Sequence, residues 1–115
     1  MTDSPNTVEA IIPAGQSESQ AIDLGQFIAH RLEMPDDGWT AAAITLRVSR
    51  NGEDYDDVFV ETGEYQLTSA AAGRAIILDP AIMIGVRRLI VRSGTSGAPV
   101  NQAAERRVCV VKVSG

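Results

Sequence analysis

Few side chains in this chain could do chemistry, and their spacing argues against most reactions. Among its 115 residues there is one histidine, His30, and one cysteine, Cys109. A serine or cysteine hydrolase needs a nucleophile beside a base. His30 falls on the apolar parity of a strand-like run, and no Gly-x-Ser-x-Gly elbow accompanies it. It reads as a structural histidine, because groups tuned for catalysis come with a cleft and partners. Structural zinc needs Cys and His at ligand spacing, which one of each, separated by most of the chain, does not supply. The acidic run Asn51-Gly-Glu-Asp-Tyr-Asp-Asp57 offers oxygen ligands to calcium, but its glycine precedes the carboxylates, unlike that of an EF-hand loop. A solvated hairpin that shields a sheet edge is the better reading. Carboxylates on such a hairpin also give no reason for the single raised pKa that a two-carboxylate glycosidase requires. Gly94-Thr-Ser-Gly97 lacks the Gly-Lys-Ser/Thr ending of a phosphate loop. The expectation is a non-enzymatic protein without a cofactor, calcium being the one ion kept open.

The aromatic set is Phe27, Trp39, Tyr55, Phe59 and Tyr65. A glycan platform needs an exposed ring, and Trp39 or Tyr55 could provide one. Trp39 follows the turn Pro35-Asp-Asp-Gly38, where an indole commonly caps one end of a sandwich core and sends its N–H to a backbone carbonyl. Burying it gains more than exposing it. Tyr55, between Asp54 and Asp56, is the better exposed candidate.

Net charge is −5, and Glu53, Asp54, Asp56, Asp57, Glu61 and Glu64 concentrate it. That field repels phosphate backbones, so nucleic acid is not an expected partner. Arg87, Arg88, Arg92, Arg106 and Arg107 lie on two strand-like runs and read as pairing partners for the carboxylates. One cysteine permits no internal disulfide, and its apolar neighbours suit a small buried hydrophobe. The start of the sequence has no basic and apolar secretory signal, and no run approaches the ~20 apolar residues that span a bilayer. A soluble chain is expected.

The elements that must position these residues are strands. Thr45, Arg47 and Ser49 alternate with Ile44, Leu46 and Val48, so one face of that strand is core and the other wet. Residues 7–12 and 21–24 read as two arms of a hairpin. In 28–34, Ile28, His30, Leu32 and Met34 share one parity. Asn51-Gly52 supplies a tight hairpin turn, and 58–60 and 65–67 each give a short strand. Residues 75–78 form another, 70–73 a loop and 81–85 an irregular turn. The runs 86–92 and 106–113 are apolar on both parities and want cover on both sides. Between them, 93–104 is a long aperiodic connection, of a kind that is usually functional or mobile. The length suits one domain. The reading is an all-β, antiparallel sandwich or jelly roll of about eight strands over 7–115, preceded by a flexible arm at 1–6.

Several turn sequences carry a resemblance. Ile11-Ile-Pro-Ala-Gly-Gln-Ser17, Ala21-Ile-Asp-Leu-Gly25, Met34-Pro-Asp-Asp-Gly-Trp-Thr40, Val48-Ser-Arg-Asn-Gly-Glu-Asp-Tyr-Asp-Asp-Val58, Leu78-Asp-Pro80 and the stretch 91–104 resemble short structural proteins of tailed bacteriophages and gene transfer agents. The likeness runs from about Val8 to the end and transfers no catalytic residue. It implies a virion component made in the bacterial cytoplasm. The implied location is the capsid surface, as a decoration protein or the base of a head spike or fibre. Its implied partners are the major capsid protein, a spike or fibre protein, and further copies of itself. Tail, baseplate and head-tail connector roles stay open. More loosely, Ser49-Arg-Asn-Gly-Glu-Asp-Tyr55 followed by Gly85-Val-Arg-Arg-Leu-Ile-Val-Arg92 is similar to galactose-binding, discoidin-like sandwiches, which implies the alternative, a carbohydrate-binding adhesion module facing a cell-surface glycan. On exposure grounds the contact residues are expected at Thr95, Ser96, Pro99, Val100 and Asn101 in the long loop, and at Asp54, Tyr55 and Asp56 on the acidic hairpin.

Overall fold

The computed structural model describes residues 6–114, so the expected arm lies outside the description except for Asn6. Ten strands are present: β1 (Thr7–Ile12), β2 (Ile22–Asp23), β3 (Phe27–Glu33), β4 (Ile44–Ser49), β5 (Tyr55–Asp57), β6 (Phe59–Val60), β7 (Gly63–Glu64), β8 (Ala75–Ile77), β9 (Arg88–Ser93) and β10 (Arg106–Ser114). One short helix, α1 (Pro80–Met83), is capped by the Asp79 carboxylate, which accepts from the Ala81 amide. It replaces the irregular turn expected there.

Two four-stranded sheets, β1-β10-β3-β8 and β2-β9-β4-β5, are antiparallel throughout, and β6 and β7 form a separate two-stranded hairpin. With that hairpin set aside as an insertion, eight strands remain, and they pair as nested arms: β1 with β10, β2 with β9, β3 with β8, β4 with β5. This wound-up double hairpin is the jelly-roll order. Residues 7–12 and 21–24 are therefore not a hairpin. They lie in opposite sheets, because each finds a longer partner late in the chain. Just before the second run, the Gln20 side chain bonds to the first: its amide accepts from Ile11 N at 2.9 Å and donates to Glu9 O at 2.8 Å. The free edge of β1 is thus occupied by a side-chain amide in place of another strand.

Ala10, Leu32, Ile44, Leu46, Leu89, Val91, Val108 and Val110 fill the space between the sheets. On β3 the expected parity fails. Val111 lies opposite Arg31 but Lys112 opposite Ala29, so His30 is an extra residue, a bulge, and the buried positions step from Ala29 to Leu32. The half-buried His30 offers its backbone carbonyl to Leu78 N at 3.0 Å. Trp39 packs partly buried against the core with its indole N–H on Ala42 O at 3.2 Å, as an end cap does. Asn51-Gly52 does not make a two-residue turn. Gly52 alone has positive φ (83°), and the Asn51 side chain accepts from the amides of Glu53 and Asp54, closing a longer connection from Ser49 to Tyr55.

Candidate functional site

The outer face of the β2-β9-β4-β5 sheet carries a cluster of charged side chains that the long loop joins through Ser96. Thr45, Arg47 and Ser49 of β4 point to it, but it is not simply wet. Thr45 is fully buried beside the Arg92 side chain, which the β6–β7 hairpin covers through Glu64, and Ser49 is nearly buried, its hydroxyl accepting from the Asn51 and Gly52 amides of the turn that follows. Arg92, on β9 beside Thr45, is 5% exposed in its side chain. Its guanidinium donates to Asp57 at 2.7 Å, to Glu64 at 2.6 Å and to the Thr45 hydroxyl at 2.9 Å. Glu64 is 8% exposed and also accepts from the Ser96 amide and hydroxyl. On the other side Arg47 pairs with Glu18 at 3.1 Å and lies 3.8 Å from Asp57.

Charges therefore alternate along this face, Glu18, Arg47, Asp57, Arg92, Glu64, from one edge of the sheet to the covering hairpin. A buried ion is tolerated only when its remaining donors and acceptors are met. Here they are: no side-chain N or O atom that is fully buried lacks a hydrogen-bond partner among the described residues. The Arg92 node ties three segments together: the acidic β4–β5 arm through Asp57, the β6–β7 hairpin through Glu64, and the long loop through Ser96. The expected pairing of the late arginines with carboxylates holds for Arg92, for Arg87 with Asp23, and for Arg107 with Glu9 and Glu105. Arg106 instead donates to Gln102 and Thr40.

The long loop 93–104 has a fixed course. Gly94 pairs with Pro99 in a bridge, and Thr95 and Ala98 exchange backbone hydrogen bonds. Gly94 has φ +89°, and a Cβ there would sit 2.6 Å from Ala98 O, so only glycine closes this turn. Gln102 is fully buried at the loop's end. It exchanges hydrogen bonds with the Thr40 backbone, donates to Ser93 Oγ at 2.7 Å, and accepts from Arg106. Of the predicted contact residues, Ser96, Pro99 and Asn101 are exposed, and Thr95 and Val100 are half-buried. Asp54 and Asp56 are exposed. Asp54 accepts from the Asn51 side chain, and Asp56 lies 3.9 Å from Arg50.

Neither expected glycan ring stands free. Trp39 is packed on the core and Tyr55 is half-buried at the start of β5. The ring that does stand out is Phe59, 61% exposed on β6, with Val60 exposed beside it. Sequence reasoning weighed Trp39 and Tyr55 as exposed rings and did not single out Phe59. Its exposure follows from pairing: β6 and β7 pair only with each other, as a two-stranded hairpin outside both sheets. No group of three or more His, Cys, Asp or Glu side chains converges as a metal site among the described residues. No known protein family, curated protein or solved structure matches this chain significantly.

Proposed function

We propose that this chain is a non-enzymatic structural protein of a tailed-phage or gene-transfer-agent particle. It acts by protein–protein binding at the capsid surface, as a decoration protein or the base of a head spike or fibre. The observation that supports a binding role is the Arg92 node. It fixes the acidic arm, the covering hairpin and the long loop as one face, so contacts there need not order loose chain first. The virion assignment draws on the resemblance of the turn sequences. The jelly roll is compatible with it and equally with a lectin, since one fold serves many tasks.

The test is to tag the chain in its native host and purify particles on a density gradient. Co-sedimentation with intact capsids, and extra density on the capsid by electron cryo-microscopy, is the expected result. Density on the tail would move the site. A free protein that never enters particles and gives reproducible binding on a glycan array would replace this reading with the adhesion module.

A further inference from the structure

Phe59 and Val60 sit on a rigid support. The β6–β7 hairpin is held by the nearly buried Arg92–Glu64 pair, yet its outer side chains contact nothing that would bury them. An exposed aromatic on a fixed hairpin has the form of an interface anchor. Its surroundings are acidic: Glu61 follows directly, and Asp54 and Asp56 are exposed on the neighbouring arm.

Elsewhere on the same chain is a surface that matches it. Phe27, Ile28 and Val86, with Gly25 and Gly85, line a cleft of about 270 Å³. That is just under the ~300 Å³ where small-molecule sites begin, a size suited to one aromatic side chain. Two cations stand at or near the cleft. Arg87 lines it, partly balanced by Asp23, and Lys112, the one lysine in the sequence, stands 5.0 Å from the centre of the Phe27 ring. Lys112 has no carboxylate within ion-pair distance among the described residues. No residue of the β6–β7 hairpin lines the cleft.

We infer that the Phe59–Val60 knob of one copy seats in the Phe27–Val86 cleft of the next, with Glu61 and its acidic neighbours facing Lys112. The contact is head-to-tail: each copy offers a knob and a socket in different places, so association gives a ring if the rotation closes and an open chain if it does not. This goes beyond the assembly reading by naming the surface through which copies of the protein meet.

The experiment uses the full chain at rising concentration, read by light scattering and native mass spectrometry. Self-association is expected, with a zero-length carbodiimide cross-link joining Lys112 to Glu61 or to Asp54 or Asp56. Phe59→Asp and Lys112→Glu, each checked for a native circular dichroism spectrum, should weaken association about thirtyfold or more, as loss of a central anchor does. Mixed together, the two variants should form pairs and stop there, because one retains the socket and the other the knob. A chain that stays monomeric at every concentration overturns the inference. So does association that survives Phe59→Asp, or a mixture that stays silent. A monomer that still joins particles would sink the socket and leave the assembly reading standing. Oligomers that never join particles would do the reverse.

Discussion

The two outer faces of the sandwich hold the same kinds of ion pair under opposite conditions. On the β1-β10-β3-β8 sheet, Arg31–Glu33 and Arg107–Glu9 lie open to solvent, with every side chain more than a third exposed. On the β2-β9-β4-β5 sheet, Arg92 and Glu64 are almost wholly covered. Water screens the first set, so those pairs adjust solubility and little else. The second set has lost its water, and each charge depends on its protein partners. Geometry does not distinguish the two, since Arg31–Glu33 and Arg92–Glu64 are both 2.6 Å long. Covering does, and the cover is the β6–β7 insertion.

The contrast is sharpest on removal. Arg92→Ala leaves Glu64 covered with only the Ser96 amide and hydroxyl as partners, while Asp57, a third exposed, keeps Arg47, and a loss of about 3–5 kcal/mol is expected in denaturant unfolding. Replacing Arg92 and Glu64 together by Met and Leu should recover most of that loss. A double variant as unstable as Arg92→Ala would break the comparison. Gln102→Leu leaves the Thr40 amide and Arg106 short of an acceptor inside the molecule, and about 1–3 kcal/mol should disappear. Arg31→Ala, on the open face, should cost at most about 1 kcal/mol.

Smaller effects belong to titration. The Arg87 side chain first, and the Gly25 amide second, hold the Asp23 carboxyl below its ordinary range. A carboxyl whose folded pKa is depressed stabilises the fold above its ordinary pKa, and the contribution fades as acid carries pH down through the folded value. Following the Asp23 carboxyl by NMR should show it titrating late in acid, and Arg87→Ala should return it toward the usual value. Burial first pushes the Cys109 thiol up, and the carboxylates of Glu33 and Glu9 add to the shift, while a hydrogen bond with Thr7 opposes it. Alkylation of Cys109 at neutral pH should therefore run slower than that of an exposed thiol, quickening only as pH is raised.

The sandwich was legible from period-two alternation at Ile44, Leu46 and Val48, and from turn residues at regular spacing. The end-capping role of Trp39 was legible as well. What alternation could not reveal was pairing between distant strands. Thr7 meets Val111 across nearly the whole chain, and nothing local to either residue says so. The bulge at His30 was hidden for the same reason: it is a property of β3 against β10, not of β3. Around the candidate face, Ser96 and the exposed Asp54 and Asp56 of the edge arm were reachable from turn chemistry and polarity. Arg92 was recognised only as a carboxylate partner. Its burial depends on a hairpin that looks, in sequence, like two more core strands.

The nested order of strands also sets a timetable for synthesis. β1 emerges first, yet its neighbour in the sheet is β10, and β3 leans on that same strand from the other side. Until residues 106–114 leave the ribosome, the apolar inner rows of β1 and β3 face a vacant centre. A stalled or slowly translated chain would spend that interval as a sticky half-sheet.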